Sequence, residues 1–526
     1  MDTKALRQKV LDLAIRGKLV SQDPNDEPAS VLLERIRQQK QQMVKEGKLK
    51  AKDIKNDTII FVGEDNLHYE KFSDGSVKCI EDEIPFDLPD GWAWSKIGPL
   101  CEYITSGSRG WAQYYSETGI LFLRMGNLSR DSFDLRLDNL QRVNLPDNAE
   151  GTRTRVAEND LLFSITAEIG MLGLIPANFE EAYINQHVGL IRFLKDAQTK
   201  FFPYILMSEF CRDQYYTVQC GMKNSFRLDN IQNILAPVPP LGEQIRIAEK
   251  LSNIWTHIQQ IDIESEAASD IISKAKSKIL DLAIRGQLVP QDPDDEPASV
   301  LLERIRAEKE ELIKQGKLKR DKKESVIFRG EDNSYYLRTG ELVESLEDWD
   351  FEELPDSWSV CCLGELCDYG NCTNIDTADI ADSAWILDLE DIEKDSGVVL
   401  QKVRQGERNA GSTKHRFHKG QVLYSKLRPY LNKVVLADED GYCTSEILPL
   451  EFERNIIPQY ARYYLMSPTF LRYANKCSYG VKMPRLGTAD GTKAIIPVPP
   501  LEEQKRIVIA IEQTFSQLAF ITENLS

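Results

Sequence analysis

The chain is written twice, and this constrains its fold more than any other feature. Residues 9 to 50 (KVLDLAIRGKLVSQDPNDEPASVLLERIRQQKQQMVKEGKLK) recur at 278 to 319 with 31 of 42 positions identical, at an offset of 269. Repetition on this scale means one structural unit built twice. A second block, Pro237 to Ile247 (PVPPLGEQIRI), returns as Pro497 to Ile507 (PVPPLEEQKRI) with 9 of 11 identical. Between them lie smaller echoes: LPDGW ending at Trp92 against LPDSW ending at Trp358, and Leu100-Cys101-Glu102-Tyr103 against Leu366-Cys367-Asp368-Tyr369. The stretches after these echoes diverge. Each half is thus a shared frame around a variable insert, 86–240 and 355–500. Two copies are too few for a solenoid, so a pseudo-twofold internal repeat is expected.

After the Pro-rich block the pattern turns helical. Pro239 and Pro240 force extended backbone, and Glu243 follows in a first turn, where its charge suits the helix dipole. Ile247, Leu251, Ile254, Ile258, Ile261, Ser265, Ala268, Ile272, Ala275 and Ile279 are then spaced alternately four and three apart, a heptad seam. At about 1.5 Å per residue this predicts a rod on the order of 48 Å long. Leu501 to Ser526 copies 241–266 and carries the seam through Ile507, Ile511, Thr514, Leu518 and Ile521, while Met1 to Lys9 aligns with 270–278. The sequence reads as a circle cut inside one of two equivalent helices, which must run antiparallel for the circle to close. Shorter helices are predicted at 28–46 and 297–315, with proline at the first position.

The 526 residues suggest three or four units on a prior of about 150 per domain. The segmentation is 1–50, an N-terminal helical region; 51–85, an acidic linker; 86–240, the first insert; 241–319, the central helical region; 320–354, a second acidic linker; 355–500, the second insert; and 501–526, a C-terminal helix. The formal net charge is -18, from 65 Lys and Arg against 83 Asp and Glu, which excludes a uniformly basic coat. Much of that excess sits in the linkers: 51–85 holds 4 basic and 9 acidic residues, and 320–354 holds 5 and 11. Local basic patches elsewhere stay available. The inserts mix short strands and helices: strands at 156–165, 421–425 and 183–193, helices at 202–211 and 458–465. The class is α+β with an all-helical, coiled-coil spacer. No apolar run spans a bilayer, the start MDTKALRQKV lacks an apolar signal core, and the ten cysteines form no CxxC pair, so a cytoplasmic setting is expected.

Catalytic signatures are missing. There is no GxxxxGK[ST], GxGxxG or HExxH, and no Asn/Asp-Pro-Pro-Tyr/Phe motif for gripping a flipped base. Cys361, Cys362, Cys367 and Cys372 with His415 and His418 could be imagined as a zinc site, but their spacing is poor and Cys101 echoes Cys367 without the others; buried reduced thiols are the expectation, with no metal bound. Between Lys402 and Lys433 nine basic residues (Lys402, Arg404, Arg408, Lys414, Arg416, Lys419, Lys426, Arg428 and Lys433) face one acid, Glu407. Interleaved with Tyr424 and Tyr430, they suit phosphate contact and base-edge readout, against the plainer reading of a solvated face. The candidates for DNA contact are Lys414, Arg416, Ser425, Lys426, Arg428, Tyr430, Lys433, Lys482 and Arg485 in the second insert. In the first they are Arg109, Trp111, Tyr114, Arg124, Asn127, Ser164, Lys223, Ser225 and Arg227, with Asp131, Asp134 and Asp138 diluting the charge. Trp92 and Trp358 read as packing anchors rather than as base-stacking groups.

The opening LPDGWAWSKIG, DLLFS, AYINQHVGLIR, the closing FRLDNIQNILAPVPPLGEQIRIAEKL, and the second set ending PVPPLEEQKRIVIAIE resemble the specificity subunit of Type I restriction-modification systems, over nearly the whole chain. The resemblance implies two mixed α/β target-recognition domains, 86–240 and 355–500, joined by two long antiparallel helices. It also implies a scaffold for double-stranded DNA, two methyltransferase subunits and restriction subunits. The chain itself would bind no cofactor; S-adenosylmethionine, ATP and Mg2+ would serve the partner subunits. The second insert departs from the first by carrying Thr444-Ser445-Glu446 for Asn185-Gln186-His187. An acidic DNA mimic or anti-restriction decoy is the alternative suggested by the charge, and a nuclease or methyltransferase acting alone is a third.

Overall fold

The computed structural model describes residues 2–146, 154–217, 226–316, 325–332, 334–346, 354–408, 412–453 and 455–525. It divides into two compact units, Met1–Glu264 and Ser265–Ser526, whose border falls near the middle of one helix, Leu241–Ile284. That helix is 44 residues long, about 66 Å at the usual rise, and starts six residues before and ends five after the predicted rod. Its exposure follows the seam: Ile247, Leu251 and Ile258 are buried, Ile254, Ile261, Ala275 and Ile279 are half-buried, and Ser265, Ala268 and Ile272 are half-buried between exposed neighbours. On the C-terminal helix, Leu501–Leu525, Ile507 and Ile511 are buried, but Ile521 at the far end is exposed.

Each unit pairs two of these helical segments. In the first, helix Thr3–Ile15 packs Val10, Leu11, Ala14 and Ile15 into one core with Ile247 and Leu251. Arg7 reaches Asp262 at 2.6 Å, while Gly17, just past the other end, lies against Trp92, which is bonded to Glu243; the two segments therefore run in opposite directions. In the second unit Leu280, Ala283 and Ile284 share a core with Ile507 and Ile511, and Lys276 stacks 5.7 Å from the Phe515 ring. The shorter helices are Ala29–Lys45 and Ala298–Lys314, one residue shorter at each end than expected, so that Pro28 and Pro297 take the N-cap position rather than the first helical one.

The segments read as acidic linkers fold. Ile59–Val62, His68–Lys71 and Val77–Cys79 form a three-stranded antiparallel sheet, and Ser325–Arg329, Tyr335–Thr339 and Leu342–Ser345 form another. Their strands are short, as in Ile59-Ile60-Phe61-Val62, and sit among acidic residues.

The inserts, unlike in sequence, share a plan. A two-stranded ribbon closes each one: Ala93–Lys96 with Leu235–Val238, and Ser359–Cys362 with Ile495–Val498. Inside the first, Leu172–Leu174, Leu161–Ser164, Val188–Phe193 and Cys101–Ser106 make one antiparallel sheet, and Ala182–Ile184 pairs in parallel with Ile120–Leu123 in another. Inside the second, Val434–Leu436, Val422–Ser425 and Ile447–Leu450 correspond to the former, and Gly441–Thr444 pairs in parallel with Trp385–Leu387 in the latter. The strand expected over 183–193 is two strands in different sheets, broken at Asn185–His187. The helix expected at 202–211 is likewise two, Phe201–Leu206 and Glu209–Thr217, whereas Pro458–Leu465 has the expected bounds.

Candidate nucleic-acid interface

The inserts are held to the frame by the PxPPLxEQxRI block, and each polar residue in it has one task. Glu243 accepts the indole N–H of Trp92 at 2.9 Å, and Glu503 that of Trp358 at 3.0 Å. Both carboxyls are buried, and desolvation holds their pKa above the ordinary carboxylate value against the opposing pull of the tryptophan bonds. The dipole role expected of Glu243 is secondary to this contact. Gln244 donates to the Pro239 carbonyl and accepts from Thr199; Gln504 donates to Pro499 and accepts from the Ile457 N–H. Arg246 and Arg506 complete the joint with Asp26 and Asp295, each at 2.6 Å. The two tryptophans are therefore buried anchors.

On this joint the inserts present matched loops. Ser164 and Ser425 end equivalent strands, both side chains buried; Ser164 Oγ donates to the Glu168 carbonyl and Ser425 Oγ to that of Leu427. The next residue donates its N–H across the loop, Ile165 to His187 and Lys426 to Glu446, each at 3.0 Å. Two positions on, Ala167 and Arg428 both adopt left-handed backbone, at φ 57° and 49°, a conformation costly for residues other than glycine. The Asn185-Gln186-His187 triplet and its replacement Thr444-Ser445-Glu446 flank these loops. His187 Nδ1 lies 2.9 Å from the Thr166 hydroxyl, while Glu446 holds the Arg485 guanidinium at 2.8 Å.

The sequence-level candidates separate by burial. Trp111 is buried between Phe122 and Tyr183, with Tyr114 packed on that cluster. Asn127 is 2% exposed; its carbonyl oxygen accepts the Arg124 N–H and its amide donates to the carbonyls of Arg136 and Asn139, so it pins a turn. Arg124 itself is half-buried and directed to Asn139. Ser164 and Ser425 are loop locks. Lys414, 4% exposed, is paired with Asp388 at 2.9 Å, and Arg485 is taken by Glu446. Each of these groups already has a partner within the chain. Arg109, Arg227, Arg416, Tyr430 and Lys482 are exposed, and Lys426 and Arg428 are half-buried. Lys433 donates to the Leu389 carbonyl at 2.6 Å, with its pKa lowered by desolvation. Lys223 and Ser225 lie outside the described residues.

The basic run from Lys402 to Lys433 is thus thinner in space than in sequence. Lys402 pairs with Asp438 at 2.7 Å, Arg404 with Glu439 at 3.0 Å, and Arg408 with Asp391. Arg416 and Lys419 stay exposed on and just after the strand Lys414–Phe417, and on the loop after Ser425 the Arg428 Nε is buried with no hydrogen-bond partner, near the exposed Tyr430. The Arg428 N–H donates to the Pro484 carbonyl at 2.7 Å. This ties the loop to the hairpin Tyr479–Arg485, whose tip exposes Tyr479, Val481, Lys482 and Met483. The tip's apolar side chains were missed; a Gly-Val-Lys set echoing Gly221-Met222-Lys223 was the available signal.

The residues imagined as a zinc cluster are dispersed, with His418 exposed beside Asp440 and Cys372 half-buried. Cys361, Cys362 and Cys367 are buried, Cys361 and Cys367 have thiol pKa values pushed up by desolvation, and His415 Nδ1 contacts the Ile447 carbonyl. Cys367 caps Leu363 just as Cys101 caps Ile97. Among the described residues no group of three His, Cys, Asp or Glu is placed to hold a metal, and no helix is long and apolar enough to cross a membrane.

Comparison with known proteins fits this plan. The family described as Type I restriction modification DNA specificity domain matches residues 89–268 and 355–526, one copy per insert and following helix. The Type I restriction enzyme EcoEI specificity subunit of Escherichia coli is 29% identical over 424 residues, covering 69% of this chain and 61% of the relative. The EcoAI specificity subunit of the same species is also 29% identical over 424 residues, covering 70% and 63%. The chain thus aligns with somewhat under two thirds of these relatives' length. A solved structure from work on complex assembly and conformational transition of the type I R-M system superposes with a TM-score of 0.50 at 16% identity, over 84% of this chain and 94% of that one, a likeness of fold. With two matched regions covering most of its length, the chain belongs to the Type I restriction modification DNA specificity domain family.

Proposed function

We propose that the chain is the specificity subunit of a Type I restriction-modification complex, itself non-catalytic, which reads a bipartite DNA target with one half-site per insert. The observation that carries this reading is the pair of matched loops after Ser164 and Ser425: one backbone, presented by two unlike inserts, with different side chains on it. In the second, Arg428 has an unpartnered buried Nε, and Lys426 and Tyr430 flank it, a combination suited to phosphate contact beside base readout. Arg109 and Arg227 are the cations left exposed in the first. The chain scaffolds two methyltransferase subunits and, with them, restriction subunits; S-adenosylmethionine, ATP and Mg2+ act on those partners, in the cytoplasm. The central helix and its counterpart, split between Leu501–Leu525 and Thr3–Ile15, form an antiparallel coiled-coil spacer in a pseudo-twofold arrangement and set the gap between half-sites. The DNA-mimic alternative needs acid on a continuous face, whereas much of the acidic excess here falls in two separate sequence segments, 51–85 and 320–354.

Sequencing methylated adenines in cells that express the chain with its methyltransferase tests the reading. A two-part motif with a fixed gap is expected, and a single contiguous motif contradicts it. Four residues inserted after Ala268 lengthen one helix by about 6 Å and should widen the gap by about one or two base pairs with the half-sites unchanged.

A further inference from the structure

The hairpin 479–485 in the second insert sets an apolar tip on a rigid base. Tyr479 and Arg485 exchange two backbone bonds, at 3.1 and 2.9 Å, and Gly480 in the turn has φ 99°, where a methyl group would also meet the Met483 carbonyl oxygen at 3.1 Å. The base is tied twice to the loop after Ser425: Arg428 donates its N–H to the Pro484 carbonyl at 2.7 Å, and Leu486 donates to that of Lys426 at 3.0 Å. The Arg485 guanidinium closes it on the Glu446 carboxylate at 2.8 Å. Beyond that base the tip is bare. Val481 is 102% exposed, more than any other large apolar side chain among the described residues, with Tyr479 at 62% and Met483 at 49%.

The charge around this tip is of one sign. Residues 455–489 include Arg462, Arg472, Lys476, Lys482 and Arg485 and no Asp or Glu, in a chain of net charge -18. Arg462 is turned onto the Gly397 carbonyl and Arg485 is held by Glu446, while Arg472 and Lys482 are exposed. A projecting segment free of acid, bonded to the loop that carries Lys426 and Arg428, is placed to meet a polyanion. Its apolar side chains gain nothing from phosphates. On a duplex their apolar partners are the base faces, reached when a step is opened, or the thymine methyl groups. Backbone bonds at both ends of the tip let it press on a step without folding back.

We infer that Val481, Lys482 and Met483 form a wedge: the tip enters the groove beside the Arg428 loop, sets Val481 and Met483 against the bases of a step that it opens, and places Lys482 on the phosphate backbone. The second half-site is then bent where the wedge enters, and it is read partly by how easily that step deforms. The inference rests on the function proposed above and deepens it, because it assigns a shape-dependent component to one half of the target beside the base-edge readout of the loop.

The test uses the whole chain assembled with its methyltransferase subunit, and the duplex target found by mapping methylated adenines, with a donor and an acceptor dye on either side of the second half-site. Affinity, its salt dependence and energy transfer between the dyes are compared for wild type, Val481→Ser/Met483→Ser and Lys482→Gln, all changes of exposed side chains. Wild type should bring the dyes closer than they are in the free duplex. The double serine variant should bind the target about tenfold more weakly, leave the dyes as in the free duplex, and keep both the salt slope and the affinity for unrelated DNA. Lys482→Gln should keep the bend and lower the salt slope by about 0.9. Uracil in place of thymine in the second half-site should change none of this. A double variant that binds or bends the target as wild type does overturns the inference, as does a duplex left straight by wild type or a Lys482→Gln slope equal to that of wild type. An affinity loss reproduced by uracil alone would mark a thymine-methyl contact instead, and methyltransferase lost from the double variant in native mass spectrometry would mark a protein contact; either result also overturns it. If wild type prefers its target and only the wedge results fail, the functional reading stands; if wild type binds the target no better than unrelated DNA, both fail.

Discussion

The joints to the frame and the loops on the inserts are both duplicated, but they are duplicated differently. At the joints side chains and geometry both recur: Trp92 on Glu243 and Trp358 on Glu503, within 0.1 Å of each other at 2.9 and 3.0 Å. At the loops the backbone and the locking serine recur, but the left-handed position is occupied by Ala167 in one half and Arg428 in the other. Packing at the joint leaves no freedom for exchange, because an indole N–H and a carboxylate buried together need one another. A loop fixed by a serine hydroxyl and a cross-loop amide leaves its outward side chains free to vary. The molecule thus separates what must be held from what can be changed.

Removing a joint should do most damage. Trp92→Ala or Trp358→Ala deletes a buried indole and strands a carboxylate, and each should cost about 3–5 kcal/mol of stability in its own half. Urea denaturation checks this, and markedly unequal losses would break the equivalence of the joints. Changes at the loop should instead spare stability and weaken DNA binding. Neutralising Lys426 and Arg428 together should flatten the slope of log affinity against log salt by about 1.8. Lys433→Met should add little, since its ammonium is already on the Leu389 carbonyl. Lys414→Met should destabilise by about 1–3 kcal/mol through Asp388 and leave the salt slope alone. If Lys414 changes the slope and Arg428 does not, the division between committed and free cations is wrong.

The smallest effect separates the two joints from each other. Glu503 Oε1 accepts from Gln291 at 2.6 Å, whereas Glu243 Oε1 is buried without a partner. Burial raises both carboxyls above 4.5, so folding takes up protons there; their contribution to stability is greatest below the unfolded pKa and falls as pH rises from 4.5 through the folded value. Glutamine at either position keeps an acceptor for the indole and removes that fall. Thermal unfolding across pH should show a flatter decline for both variants than for wild type, with the larger gain at neutral pH in Glu243→Gln.

Much of the frame was legible in the sequence because repetition and the heptad seam are local patterns. The joint was half legible: Trp92 and Trp358 read as anchors, but nothing local shows that Glu243 lies 151 positions away as the partner. The small sheets were hidden because their strands are only three to five residues long and lie in segments with 9 and 11 acidic residues. The site was the least legible part. Lys402 to Lys433 looks basic in one dimension, and its neutralising acids, Asp388, Asp391, Asp438 and Glu439, lie before or after the run. The strand break at Asn185–His187 carries no glycine or proline to announce it.

The central claim is that each insert reads its own half of the target through a common frame. Exchanging residues 86–240 for the corresponding insert of another family member, then mapping methylated adenines in cells carrying the methyltransferase, tests it most directly. The account predicts one altered half-site, with the other half and the gap retained. Alteration of both half-sites, or of neither, would contradict it.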